Sequence, residues 1–343
     1  MIPRSGTGAP SVLVVVSYFN AARTIGTCLD HLLAQDYSNY RVVVVDAGST
    51  DGSIEIARAR ASPRLLFKIL DGCSESEGQT FGAHQSDSDV IMFTNSDIYV
   101  PRDWISRHVA WLQKGYDLVG GAVFWGGDKF AFTWNMPKAR RPRFVQEQGL
   151  GLGFSNCSTT RDVFARVGGL SDLKSQHDTE FAFRVVRHGG KMILDPEIEV
   201  HHDHPMGSFR GSMNRSFGYG LNHVLVMRAV YGRIVSGSGY PAMLSFGSLI
   251  REWTCVAGIR AYKERRAKAA EEGINIGLLE FLFIRFFSTN QGQRLGVLAG
   301  ATKRKAAFKS IIDLHRRAEK PLAEADKPLP QEVPELKVVS RKS

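Results

Sequence analysis

Between residues 12 and 124, short apolar runs rich in β-branched residues alternate with segments of helical periodicity, and that alternation leaves few folds open. The runs are 12–17, 41–46, 65–70, 90–94 and 118–124. Each is apolar without a polar face, as in strands covered on both sides of a parallel sheet. Between them, helices are predicted over 22–35, from Ser53 to about Arg60, over 78–85 and over 102–114; in the first, Ile25, Leu29, Leu32 and Leu33 recur at helical spacing. Strand and helix in turn imply right-handed βαβ units, hence an α/β fold with a mostly parallel central sheet flanked by helices.

The fourth run ends in chemistry. After Ile91-Met92-Phe93-Thr94 come Asn95, Ser96 and Asp97, with Pro101 just beyond. A buried parallel strand delivers these side chains to the carboxyl edge of the sheet, where α/β folds bind ligands. A carboxylate beside an amide there suits a hard divalent cation holding a diphosphate. The plainer reading is a polar strand end that caps the next helix.

Beyond residue 124 the period changes. Residues 125–157, rich in glycine, aromatics and arginine, read as loops, with Trp125, Trp134 and the basic cluster 138–143. A short helix over 161–167 follows, then one from Ser175 to Arg187 stopped by Gly189-Gly190, then strands over 192–194 and 198–202. The net charge of +10 is uneven: residues 1–120 hold 10 Lys and Arg against 13 Asp and Glu, whereas residues 204–317 hold 18 against 6. This basic region is also apolar, in Met243–Tyr262 and Ile274–Phe287, which predicts a C-terminal helical extension. Its helices either lie in a membrane surface or pack on the sheet domain with a solvated basic face. The 14-residue apolar stretch 274–287 carries Glu280 and Arg285, so no segment is expected to span a bilayer. Residues 1–10 read as a loose leader without a secretory signal, and 318–343 as a disordered tail. Four scattered cysteines suggest neither a zinc site nor a disulfide framework, and fit a reducing cytosol.

The motifs converge. SVLVVVSYFN (11–20), VVVVDAGSTDGS (42–53), FTNSDIYVP (93–101), HDTEFAFRVVRHGG (177–190) and VHHDHP (200–205) occur in that order. Together they resemble family 2 of the inverting, nucleotide-sugar-dependent glycosyltransferases of GT-A (Rossmann-like) fold, over about residues 11–232. The resemblance implies a nucleotide-sugar-binding half over 11–120 and an acceptor or catalytic half over 121–205, before the extension over 206–317. It also implies a nucleoside diphosphate sugar donor, a divalent cation (Mn2+ or Mg2+) and a carboxylate base. On the donor, Ser17 and Phe19 match positions that flank the nucleobase, Asp46 a group that contacts base or ribose, and Gly48 a close approach of backbone. Family members commonly carry a second aspartate where this chain has Ala47, which bears on which base is read. Asn95-Ser96-Asp97 matches the D-x-D motif with Asn first: Asp97 becomes the metal ligand, and Asn95 a contact to ribose or a metal-bound water. Asp178 matches the catalytic base, with His177 where a Glu is usual and with Glu180 and Arg184 matching the same helix. His202 fits best the histidine that approaches metal or diphosphate, ahead of His201. Arg210 and Arg215 are candidates for neutralising diphosphate, and Trp125 and Trp134 for stacking on a sugar. Ser175-x-x-Asp178 also has the form of a capping box, the structural alternative for Asp178.

The expected reaction is transfer of a sugar to an acceptor hydroxyl in polysaccharide or glycolipid assembly. The acceptor would be a glycan, glycolipid or polyprenyl-linked sugar at the inner face of the cell membrane. Competing readings are a sugar-phosphate nucleotidyltransferase, for which the Gly-rich phosphate loop after the first strand is missing, and a non-catalytic sugar-nucleotide-binding protein at the membrane. Nucleic acid is not an expected partner, because the basic region is too apolar for a solvated strip.

Overall fold

A computed structural model describes residues 8–136, 151–173, 176–231 and 256–302. The expected leader (through residue 7), the cluster 138–143, Ser175, residues 243–255 and 303–317 of the expected extension, and the tail lie outside the described residues. The chain divides into two compact units. The first takes its described residues from 8–122, 151–173 and 176–200, the second from 123–136, 201–231 and 256–302.

The first unit is built on the predicted strands β1 (Val12–Tyr18), β2 (Tyr40–Asp46), β3 (Leu65–Ile69) and β4 (Val90–Asn95). These pair in parallel, β3-β2-β1-β4, with Val15 opposite both Val43 and Phe93. All seven residues of β1 are buried, as a strand covered on both faces requires. The full order is β3-β2-β1-β4-β7-β6-β8-β5, with β5 (Ile98–Tyr99), β6 (Leu118–Gly126), β7 (Cys157–Thr160) and β8 (Met192–Asp203). β7 runs antiparallel to both β4 and β6. It begins at the last residue of the expected loop 125–157, where no strand is expected because Cys-Ser-Thr-Thr carries no apolar run. β8 is one strand where two were expected. Its Pro196 cannot donate to a ladder, yet the extended backbone continues through it.

Helices α1 (Ile25–Leu33), α2 (Ser53–Arg58), α3 (Glu75–Ala83) and α4 (Trp104–Gln113) connect the strands. α3 starts earlier than the apolar pattern predicts, because Ser74 and Glu77 form a capping box: Ser74 N donates to Glu77 Oε2 at 2.7 Å and Glu77 N to Ser74 Oγ at 3.3 Å. α3 lies very close to the sheet. A Cβ on Gly82 would stand 2.6 Å from Val15 Cγ1, and one on Gly78 would collide with Ser17 Oγ. α4 is tied down by Asn156, whose Oδ1 accepts from Trp104 Nε1 at 2.8 Å and His108 Nε2 at 2.9 Å. The Asn156 amide donates to Ala122 O and Ile198 O.

The second unit has its own core of Phe124, Phe132, Ala261, Ala269, Ile274 and Phe281. It contains α5 (Lys129–Phe132), α8 (Phe209–Tyr231), α9 (Val256–Glu271) and a helix that continues through α10 (Leu278–Ile284), a π-helical turn (Arg285–Asn290) and α11 (Gln291–Thr302). α8 and α11 pack at glycines. A Cβ on Gly292 would stand 2.8 Å from Met213 O, and one on Gly296 2.8 Å from Leu221 N. No helix of the described residues is long and apolar enough to cross a membrane.

Candidate active site

The parallel register aligns the carboxyl ends of β1, β2 and β4, placing Ser17 opposite Asn95 and Tyr18 opposite Asp46. Asp46 is fully buried, and its Oδ1 accepts from the backbone N–H groups of Gly48 and Ser49, both at 2.7 Å. Its carboxylate therefore shapes the turn. Beside it the Tyr18 hydroxyl stays protonated, its pKa pushed up by burial and then by the Asp46 charge. Gly48 has φ +95, a conformation open to glycine, and a Cβ there would collide with Asp71 Oδ1. Asp71, which the motifs did not single out, thus borders the turn where Ala47 offers no side-chain acceptor. Across the same edge Asn20 N donates to Ser49 Oγ at 2.8 Å, and Phe19 stands 61% exposed, an open aromatic face on the carboxyl side of β1.

Beyond β4, Ser96 and Asp97 form a half-buried turn into β5. Asn95 Oδ1 is buried without a hydrogen-bond partner among the described residues. The Cys28 thiol donates to Asn95 O at 3.5 Å, and its pKa is raised by burial and then by the negative charge of Asp97.

Asp178 lies in the first turn of α7 (His177–Arg187), which begins at His177 with Gln176 as its N-cap. Asp178 Oδ1 accepts from Thr179 N at 2.7 Å. Oδ2 would be 3.7 Å from a Cβ on Gly153, so the carboxylate stands over the short 3₁₀ segment Phe154–Asn156 that leads into β7. That segment is fastened to β4: Thr94 Oγ1 donates to Ser155 O at 3.0 Å, and Phe93 stacks on Phe154 with centroids 4.6 Å apart. The Cys157 thiol, opposite Phe93, is raised by burial and then by the Asp178 charge. The structure therefore brings Asp178 to the strand that ends in Asn95.

Its neighbours on α7 hold it there. His177 is buried, and its Nε2 lies 2.9 Å from Gln79 Oε1 on α3, which makes it the donor in that bond. Gln79 was not visible in the motifs. Glu180 and Arg184 are fully buried and joined by two hydrogen bonds, at 2.8 and 2.7 Å. Arg184 Nη1 also donates to Val167 O and Gly169 O after α6 (Arg161–Arg166). Both side chains are thus engaged in structure.

In the second unit, His202 is buried against Trp125, with ring centroids 4.3 Å apart. Trp125 continues to Trp134 at 5.3 Å, and Trp134 to Tyr219 at 5.3 Å. His201 instead pairs with Glu272 at 3.1 Å. The His204 ring lies 5.2 Å from that of His202, and its Nε2 accepts from Arg215 Nη1 at 2.5 Å. His204 was not singled out from the sequence. Arg210 is exposed on α8.

Comparison with known proteins agrees with this architecture. Residues 13–167 match the model of glycosyl transferase family 2. EpsE of Bacillus subtilis, classed with the glycosyltransferases, is 34% identical over 288 residues, covering 77% of this chain and 97% of the relative. The undecaprenyl-phosphate 4-deoxy-4-formamido-L-arabinose transferase of Aeromonas hydrophila is 28% identical over 123 residues, 34% of this chain and 38% of that enzyme. Matches to three further glycosyltransferases span only 40%, 14% and 33% of their lengths. The mannosyltransferase PcManGT of Pyrobaculum calidifontis, solved with GDP-Man and Mn2+, superposes with a TM-score of 0.58 at 17% identity, over 87% of this chain and 89% of that one. That likeness establishes the GT-A fold. With a relative matched over nearly its whole length and the family model covering strands β1 to β7, the chain belongs to glycosyl transferase family 2.

Proposed function

We propose that this glycosyltransferase moves a sugar from a nucleoside diphosphate donor to an acceptor hydroxyl with inversion, and that Asp178 is the base. The observation that carries this reading is the attachment of the Asp178 helix start, through Gly153–Ser155, to the strand ending in Asn95. Asp178 Oδ2 takes the hydroxyl proton as that oxygen attacks the anomeric carbon, and the nucleoside diphosphate leaves from the opposite face. His177 and Gln79 are positioning residues that hold the first turn of α7. On the donor side, Phe19 offers its exposed ring to the base. Ser17 flanks the base with it, Gly48 allows close backbone approach, and Asn95 and Ser96 are candidates to contact the ribose and phosphates. Asp71 borders the position where Ala47 lacks a carboxylate, and it is our candidate for accepting a base N–H.

A divalent cation fits the chemistry of Asp97, whose hard carboxylate suits Mn2+ or Mg2+; His202, on the second unit, is a separate candidate for the metal or the diphosphate. Such a cation, when bound, neutralises the leaving diphosphate. Arg210 and Arg215 add positive charge on α8. Trp125 and Trp134 offer rings for the acceptor sugar. The Aeromonas relative acts, by its name, on undecaprenyl phosphate, which supports a lipid-linked acceptor and a peripheral location at the inner membrane face.

The test is Asp178→Asn in the full chain. Sugar transfer should fall by roughly 10²–10⁴-fold, the usual weight of a general base, while nucleoside diphosphate affinity stays the same. Turnover that survives removes Asp178 from the role.

A further inference from the structure

We infer that the outward face of the helix over 278–302 is a surface that enters the interface of an anionic lipid bilayer. Most of this helix is apolar on more than one side. Phe281, Ile284 and Ser288 face inward and are buried. Arg285 also turns inward, donating to Thr133 O at 2.6 Å and Asn135 O at 2.7 Å. The opposite side carries Leu279, Phe283 and Phe287, four residues apart, exposed by 82%, 57% and 46%, and farther on Leu295 and Leu298, exposed by 46% and 50%. Phe283 touches Phe287 with ring centroids 4.8 Å apart and Phe209 of α8 at 6.3 Å, so these three rings form one apolar cluster, with Leu279 one turn before Phe283 on the same helix. Large exposed apolar side chains grouped in this way mark an interaction face.

Charge selects the occupant. Glu280, the acidic residue on this helix, is paired with Lys129 at 2.6 Å. Arg210, next to Phe209, is exposed, as are Lys263 and Arg266 on α9 of the same unit. Residues 204–317 carry 18 basic against 6 acidic side chains. Exposed apolar rings and leucines on a unit whose sequence is this basic are what a monotopic helix presents to anionic headgroups. None of the described helices can cross the bilayer, so the contact lies on the membrane. A lipid-linked acceptor gives this surface its purpose, and to that extent the inference rests on the reading above.

The experiment is flotation of the full chain with vesicles, in the absence of donor and acceptor. Vesicles of phosphatidylcholine with phosphatidylglycerol should carry the protein, and pure phosphatidylcholine should carry much less. The double substitution Leu279→Glu with Phe283→Glu, at two exposed positions, should weaken partitioning by roughly tenfold or more and leave the melting transition in place. The inference is overturned if the wild-type chain does not float, if both vesicle types carry it equally, or if the variant floats as well. It is also overturned if the wild type is a dimer in solution and the variant a monomer, which would assign the face to a second copy. Loss of sugar transfer with intact flotation would strike the reaction instead of the surface.

Discussion

His108 is buried, and both of its ring nitrogens are engaged. Asn156 uses its amide to donate to two carbonyls, so its Oδ1 must accept, and His108 Nε2 carries the proton. Nδ1 then accepts from Ser158 Oγ at 2.8 Å. The imidazole is therefore neutral, and burial depresses its pKa from 6.5 to about 4. The unfolded chain binds a proton between those values that the folded one excludes, so the stabilisation is complete above pH 6.5 and is lost as pH falls toward 4. Urea midpoints should drop across that window by the equivalent of about 3 kcal/mol, and His108→Gln should flatten the dependence. This histidine sits mid-helix with no motif around it, and nothing local announces its partners, which lie 48 and 50 residues away. The placement of Asp97 just after a strand and of Asp178 in the first turn of a helix was readable for the opposite reason: each stands at the end of an element, where strand and helix signals meet. His177 and Glu180 show the limit of such reading. They occupy motif positions, yet what they touch, Gln79 and Arg184, depends on packing.

At the scale of elements, the buried parallel strands were readable because a continuous apolar run admits few alternatives, whereas β7 was hidden by its polar composition. Thr159 Oγ1 donates to Asp117 O at 2.8 Å, and Ser158 bonds His108, so its hydroxyls are satisfied inside the sheet. The stretch 274–287 was visible as apolar, but that its helix begins only at Leu278, and which face of it is covered, became clear only with the 124–136 segment packed against it. Close helix packing was equally invisible. Gly292 and Gly296 look like weak points in a helix, and they are where α8 comes near. Gly296→Val should force the Phe217 and Leu221 backbone away and destabilise the chain by about 1–3 kcal/mol, the usual cost of overpacking, read as a lower melting temperature. Gly→Val at exposed Gly277, where a Cβ meets nothing within 4 Å, should be nearly silent.

For the whole molecule, a ligand that binds only the folded chain stabilises it by mass action. A nucleoside diphosphate at a hundred times its Kd, with Mn2+, should add about 2.7 kcal/mol to the unfolding free energy, and chelation should reverse the gain; a thermal scan with and without chelator reads both. The basic, apolar character of residues 204–317 was plain in the sequence, but the partition of the chain was not. The described residues of the second unit come from separated stretches, 123–136 and, beyond residue 200, 201–231 and 256–302, and Phe124 and Phe132 from the first are cored by Ala261, Ala269 and Phe281 from the last. No single scissor point therefore yields a self-sufficient sugar-handling module and a detachable attachment module. A shortened gene ending near codon 200 would encode two orphaned phenylalanines in water, and its product would be expected to clump for that reason alone, whatever its chemistry.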